Sequence, residues 1–510
     1  MEKELMEKEV LCILDTRQIQ RFIFHSNSYI DTLGGSDLIK HILDDAIRFA
    51  LENIEPKIPS DQYDLSVDPD AERIPYFVNE KIQFQIIICA AGNAMFIART
   101  GALCQKIVRK ISRYYLEHGY SLGLAAAVTE KTDDLGNDIF RLYQKLTEVK
   151  ASSDISDPVG ALPVVIRENN TGYPGIRKDE TTGEYYSLAS ALRRAEARKR
   201  SDIIGMKDIK PSNASNGSEY LAVIHADGNN LGITIGKLLQ KSTGYEDGIR
   251  ARRRINKTIT ATFRRAQEKT LNDLEEYYHS RFGDSAEFSC VFHPVHQAGD
   301  DINCICSADM VIPFLNALYE NLNGAKLWES DDLNISLYVC AGVAFVTPKT
   351  DFHTAFRIAE ECCKSAKTTA KKECNLRGGL AGNWIDYQIC STADMQELEM
   401  LREQSYMTKE RINLMLRPYT LDPEDSDKTY SFEKLLQRSA AIKDSQLDEY
   451  QRKLLRQSYV MGRTEFGKWV RLLKRDGIDL NRLLGSPLYE DSDGNTHAVW
   501  FDAAELSDFV

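Results

Sequence analysis

The chain has 510 residues, too many for a single hydrophobic core, so two to four domains are expected. Its composition, 43% hydrophobic and 27% charged, excludes a disordered or fibrous chain, and its net charge of −12 argues against an autonomous binder of long nucleic acid. No apolar run is long enough to cross a membrane, and eleven cysteines without a Cys-x-x-Cys pair exclude a zinc ribbon, so a cytoplasmic protein is expected.

In chain order, residues 9–15 read as a buried strand ending at Asp15. A short helix is expected at 19–24, a turn at Gly34-Gly35, and a helix over 36–53 with Leu38, Ile39, Ile42, Leu43 and Ala46 at helical spacing. Gly34, Gly35 and Ser36 read as a loop and helix N-cap, or as the lining of a nucleotide cleft. Residues 54–80 are polar and contain proline, as an irregular insertion does. A strand over 81–89, a tight turn at Ala91-Gly92-Asn93, a strand at 94–98, a helix over 101–118, a strand over 121–128 and a helix over 134–150 follow.

A connector over 151–215, rich in Ser, Asp, Gly, Asn and Pro, carries one charged helical stretch at 187–200. The first order of elements then returns. A strand over 219–227 ends at Asp227, and a long helix is expected over 248–279. A strand over 287–296 and the turn Gln297-Ala298-Gly299-Asp300-Asp301 precede a strand at 302–307, a helix over 309–323, a strand over 333–346 and a helix over 351–373.

Two β-α-β-β-α-β units, each with a trailing helix, read as an internal repeat. Asp15 to Gly92 spans 77 residues and Asp227 to Gly299 spans 72; Ala126 to Lys150 spans 24 and Gly342 to Lys367 spans 25. This order implies an α+β protein with two ferredoxin-like sheets, helices on one face of each, followed by a charged helical region. The expected domains are 1–150, a degenerate first unit; 151–215, the connector; 216–394, the second unit; and 395–510, a separate helical C-terminal domain.

The chemistry is expected in the second unit. In a ferredoxin-like sheet the first strand lies beside the hairpin, so Asp227 would meet Asp300 and Asp301 across the sheet. Three converging carboxylates need a cation, and hard divalent ions such as Mg²⁺ or Mn²⁺ take oxygen ligands of this kind. Two such ions would activate a 3′-hydroxyl and stabilise charge on an α-phosphate. Gly228, Asn229, Asn230 and Gly299 are candidates to line a nucleotide, the glycines because backbone without Cβ lets phosphates approach. Lys367, at the end of an apolar helix face, is a candidate point charge for the triphosphate.

Bland readings stand beside these. Asp-Gly-Asn-Asn and Gly-Asp-Asp are, taken singly, ordinary solvated turns. The basic residues Arg250, Arg252, Arg253, Arg254, Arg264 and Arg265 would bind phosphate or RNA backbone, or line a solvated helix face. His225 reads as a packed core histidine. His293 and His296 fall on opposite faces of a regular strand, and Pro294 marks a bulge or an edge. The first unit has Ala91-Gly92-Asn93 where the second has two carboxylates, so it reads as chemically silent.

At these residues the chain resembles the polymerase-cyclase family of type III CRISPR systems, whose large subunit has two palm domains. Ile13-Leu14-Asp15 with Ile19 to Phe24 is similar to that family's first-palm opening, and Ala226-Asp227-Gly228-Asn229-Asn230-Leu231-Gly232 resembles its second. Ala298-Gly299-Asp300-Asp301 resembles its Gly-Gly-Asp-Asp turn, with Ala298 replacing the first glycine, and Ala366-Lys367 resembles its late lysine. No His-Asp dipeptide occurs, so a reduced relative without the family's nuclease domain is expected. The resemblance implies conversion of ATP, or another NTP, into a cyclic nucleotide or cyclic oligonucleotide in antiviral defence. Because an always-active signalling cyclase would be costly to a cell, an activating RNA, phage component or protein partner subunit is expected, and the lack of a long apolar run argues for no membrane partner. A scaffold that docks guide RNA and protein subunits is the alternative. A GGDEF-type cyclase is disfavoured, because Ile302 follows Asp301 where that family has Glu-Phe.

Overall fold

The computed structural model describes residues 3–26, 28–90, 92–152, 161–180, 183–199, 208–213, 219–239, 242, 244–330, 333–376, 381–390, 397–445 and 447–510. The first unit consists of β1 (Val10–Arg17), α1 (Ile19–Phe24), α2 (Tyr29–Glu52), β2 (Phe84–Ala90), β3 (Asn93–Ala98), α3 (Gly101–His118), β4 (Gly123–Glu130) and α4 (Leu135–Ser152). Its sheet runs β2-β3-β1-β4, with the two-residue strand Tyr63–Asp64 at the edge beyond β2. After α5 (Leu188–Ala197) the second unit repeats this plan. It consists of β5 (Glu219–Gly228), α6 (Leu231–Leu239), α7 (Tyr245–Phe282), β6 (Phe292–Ala298), β7 (Asp301–Ser307), α8 (Val311–Leu322), β8 (Val339–Val346) and α9 (Phe352–Leu376). The second sheet runs β6-β7-β5-β8 and continues into β9 (Trp384–Ile389), parallel to β8, and β10 (Tyr419–Thr420). The chain is thus an α+β protein with two ferredoxin-like sheets and a mainly helical C-terminal region.

Helices cover both faces of each sheet, not one. β1 and β5 are apolar at nearly every position, and strands of that kind are buried on both sides. Val10, Cys12 and Leu14 face the core shared with α2 and α3, while Leu11 and Ile13 face α4. In the second unit Ala222, Ile224 and Ala226 face α7 and α8, while Leu221 and Val223 face α9.

Several local expectations change. α2 begins at Tyr29 and runs straight through Gly34-Gly35, which are therefore not a turn. A Cβ on Gly34 would overlap the backbone carbonyl of Arg193 in α5, so the glycine permits this close helix crossing. Residues 287–290 are not strand; a short 3-10 helix, Phe288–Cys290, precedes β6. Residues 333–346 divide: Leu333–Ser336 pairs with Lys326–Ser330 in a separate ribbon, and only Val339–Val346 joins the sheet. Pro294 lies on the edge strand β6 at a register shift.

The C-terminal region has no core of its own. Leu435, Leu455, Leu473 and Trp500 belong to the same buried cluster as Ile224, Phe314 and Tyr387 of the second sheet. Arg417 is fully buried against Asp502 and Glu505, and Tyr419 on β10 donates to Asp502 at 2.8 Å. All eleven cysteines are free. Among the described residues, no helix is long and apolar enough to cross a membrane.

Candidate functional site

The ladders set the site. Ile302 pairs with Ala226, so Asp301 lies one step further along, beside Asp227 at the end of the central strand. Ala298 pairs with Asp301 and closes a hairpin whose loop is Gly299-Asp300 alone. Gly299 has φ of 65°, the left-handed value that the first residue of a type II′ hairpin loop requires. The loop carries Asp300 over β5. A Cβ on Gly228 would stand 2.6 Å from Asp300 Oδ2 and 3.1 Å from its Cβ. Gly228 therefore makes room for a carboxylate, a closer constraint than the phosphate approach expected from sequence.

Asp300 is half-buried, and burial together with the adjacent Asp227 charge pushes its pKa up to about 7. Lys367, from α9, forms an ion pair with Asp227. Burial alone would lower the lysine's pKa, but Asp227 outweighs it and raises the value, so the ammonium stays charged. Lys367 thus reaches the site, where its partner is a carboxylate.

Asp301 turns differently. Its Oδ1 accepts from Asn303 Nδ2 at 2.7 Å and lies 3.3 Å from His225 Nδ1. His225 Nδ1 is also 2.7 Å from Asn303 Oδ1. Burial disfavours the charged imidazole, yet Asp301 and Cys363 together override it and hold the His225 pKa well above the ordinary range. His225 is therefore bonded to a site residue as well as packed, a role that only the tertiary pairing of β5 with β7 reveals. The expected meeting of three carboxylates is realised as a close pair, Asp227 and Asp300, with Asp301 held from behind. Among the described residues no three His, Cys, Asp or Glu side chains form a ready metal cage. Like charges at this spacing repel, and each takes its own partner: Lys367, a proton, or the His225–Asn303 pair.

Asn229 does not line the site. It is 4% exposed, and its amide donates to the carbonyls of Gly382 at 2.9 Å and Ala381 at 3.3 Å. It anchors the segment entering β9. Asn230 has φ of 59° and immediately precedes α6, as Gln18 with φ of 61° precedes α1. In the first unit Asp15 pairs with Lys150 at 2.8 Å, matching Asp227 with Lys367. The registers correct the repeat alignment. Asn93 pairs with Ala90 and stands opposite Asp15, so Asn93 matches Asp301 and Gly92 matches Asp300. Ala91 lies outside the described residues, and Ala127, not Ala126, matches Gly342.

The basic run on α7 is largely structural. Arg253 is buried and donates to the carbonyls of Ile86 and Ile87, where β2 shifts register, while Arg250 and Arg254 pair with Asp247 and Asp70. His293 is buried beside Tyr29, and the side chain of His296 lies outside those described.

Residues 220–375 match the family model of the Cas10/Cmr2 second palm domain. No curated protein matches the chain in sequence. Among solved structures the chain is similar to Csm1 of T.onnurineus, at 13% identity and a TM-score of 0.51, over 99% of this chain and 69% of that one. It is also similar to the Csm1-Csm4 cassette in complex with cA4 (13% identity, TM-score 0.51, 98% and 70% coverage) and in complex with pppApA (13%, 0.52, 98% and 69%). At such identity the likeness speaks for the fold. Residues 220–375 thus carry a Cas10/Cmr2 second palm domain, set in a fold shared with these structures along nearly the whole length of this chain.

Proposed function

We propose that the chain is a palm-type nucleotidyltransferase that joins the 3′-oxygen of one nucleotide to the α-phosphate of another. Its product would be a cyclic nucleotide or cyclic oligonucleotide, with ATP as the substrate. The single observation that carries this reading is the pair Asp227 and Asp300, which the Gly299-Asp300 hairpin loop and the missing Cβ of Gly228 crowd together at the end of the central strand. Two hard oxygen donors in that state suit a divalent cation such as Mg²⁺ or Mn²⁺, which relieves their repulsion. Asp227, Asp300 and Asp301 would hold it, and when bound it supplies a Lewis acid for the triphosphate. Gly228, Asn230 and Gly299 would shape the backbone around the nucleotide, and Asn229 would act from behind by fixing the β9 loop. Lys367 would exchange Asp227 for phosphate oxygens when substrate enters. The structures bound to cA4 and pppApA support an adenine nucleotide as ligand.

The Csm1-Csm4 cassettes favour a second component of the same reading, a Csm4-like protein partner. A purely scaffolding role is the competing view. Mass spectrometry of products from purified protein with each NTP, in Mg²⁺ or Mn²⁺, tests the enzyme, with Asp227→Asn run beside it. A cyclic product from the unmodified protein alone is expected. Absence of product with every NTP, with and without RNA, would favour the scaffold.

A further inference from the structure

We propose that His225 and Asn303 act as a positioning pair for Asp301, fixing the rotation of its carboxylate so that it presents to a divalent cation. This rests on the nucleotidyltransferase reading above and deepens it; neither residue touches substrate. His225 is two positions before Asp227 on β5, Asn303 is two positions after Asp301 on β7, and the two are direct cross-strand partners. All four side chains therefore lie on one face of the sheet, beneath α9.

The hydrogen bonds assign themselves. Asp301 Oδ1 only accepts, so the Asn303 atom 2.7 Å away is the amide nitrogen. The Asn303 oxygen then faces His225 Nδ1 at 2.7 Å, and Nδ1 carries hydrogen, which it also directs towards Asp301 Oδ1 at 3.3 Å. The Asn303 hydrogen bond and the His225 ion-pair contact, both on one carboxylate oxygen, fix the side-chain torsions and hence the direction of Oδ2. From α9, Phe356 meets the ring edge-on with centroids 5.5 Å apart, and Cys363 also contacts the imidazole.

The first palm supplies an internal control. There the same cross-strand pair is Ile13 with Met95, both buried, and the residue in the Asp301 position is Asn93. A buried polar pair is costly unless its bonds are made. The chain carries that cost only in the half that has the carboxylate. A pair needed just to join the two strands would have served equally in the first palm, where apolar side chains suffice.

The test transplants that apolar pair. Full-length protein, the double variant H225I/N303M and the single variant His225→Gln are titrated with Mn²⁺, read as loss of the free-ion EPR signal, alongside thermal unfolding. H225I/N303M is expected to stay folded and to bind Mn²⁺ about ten- to a hundredfold more weakly, the usual cost of losing groups that orient a metal ligand. His225→Gln, which keeps a donor, is expected to retain more affinity than the double variant. If H225I/N303M instead changes only the melting temperature, with Mn²⁺ affinity within about twofold of wild type, the pair is structural and the proposal is overturned. Unaltered Mn²⁺ uptake in Asp227→Asn would overturn the underlying site reading itself, so the two failures are distinguishable.

Discussion

The raised pKa of Asp300 couples folding to pH. Its folded-state pKa is raised to about 7 by burial and by Asp227. In the unfolded chain the same carboxyl loses its proton at about pH 4. Below that value both states are protonated and the group is neutral to stability. Between about 4 and 7 the unfolded state binds fewer protons than the folded one, so stability falls as pH rises, and above 7 the full penalty is present. The displacement corresponds to at most about 4 kcal/mol. Solvent reaching a half-buried group reduces this to ~1–2 kcal/mol. Asp300→Asn has the same shape and cannot ionise. In EDTA at pH 8 it should be more stable than wild type by ~1–2 kcal/mol, a rise of about 3–6 °C if the second palm unfolds as one unit. At pH 5 the difference should shrink to a fraction of that. Thermal unfolding by circular dichroism at the two pH values reads both numbers. A variant no more stable at pH 8, or equally stabilised at pH 5, would refute the close Asp227–Asp300 pair.

The same variant should lose product formation, so that a gain in stability accompanies a loss of activity; a stable and fully active Asp300→Asn would remove Asp300 from the site. Gly228→Ala places a methyl 2.6 Å from Asp300 Oδ2, displacing the loop; activity should fall by at least about tenfold with a stability loss near ~1 kcal/mol, checked by product yield beside a melt. Asn229→Ala leaves the Ala381 and Gly382 carbonyls short of a donor and should cost ~1–3 kcal/mol of stability with nucleotide affinity little changed, measured by a melt and by ATP titration. Asn93→Ala should cost less activity than Asp227→Asn; equal losses would show that the first palm contributes chemistry.

The repeat was legible because its signals are local. Strand-end Asp15 and Asp227, the hairpin turns, and the lysines Lys150 and Lys367 at matching distances survive any tertiary detail. Anchoring the two turns on their glycines misaligns them by one residue. Hairpin closure is set by the Ala90–Asn93 and Ala298–Asp301 pairs, and Gly92 and Gly299 occupy different places in their loops. Helix α2 was cut short for a related reason. Gly34-Gly35 signals a turn by propensity, but the approach of α5 makes glycine necessary inside the helix, and no local pattern encodes that partner. Asn229 was assigned by its neighbours in the motif; its buried contacts come from residues over 150 positions away. His225 belongs to the same class, since its meaning lies in a strand 78 residues downstream.

The way the two halves bury one another gives a physical reason for keeping a palm without a carboxylate turn. Phe24 on α1 stacks on Phe356 of α9, with ring centroids 3.6 Å apart, against the trailing helix that bears Lys367. In return, Leu239 of α6 and Tyr245 and Ile249 of α7 pack with Leu135 and Ile139 of α4, the trailing helix that bears Lys150. Each half thus lends the opening helices that follow its strand-end aspartate to cover the trailing helix of the other. α7 then runs on into the second core through Phe263 and Leu274, linking the α4 contact to that core through one continuous helix. Removing the first half would expose Phe352, Phe356 and Ala359 on the helix that carries Lys367, and with them the face where His225 is buried. The first palm therefore packs on α9, the helix that brings Lys367 to the sheet presenting Asp227.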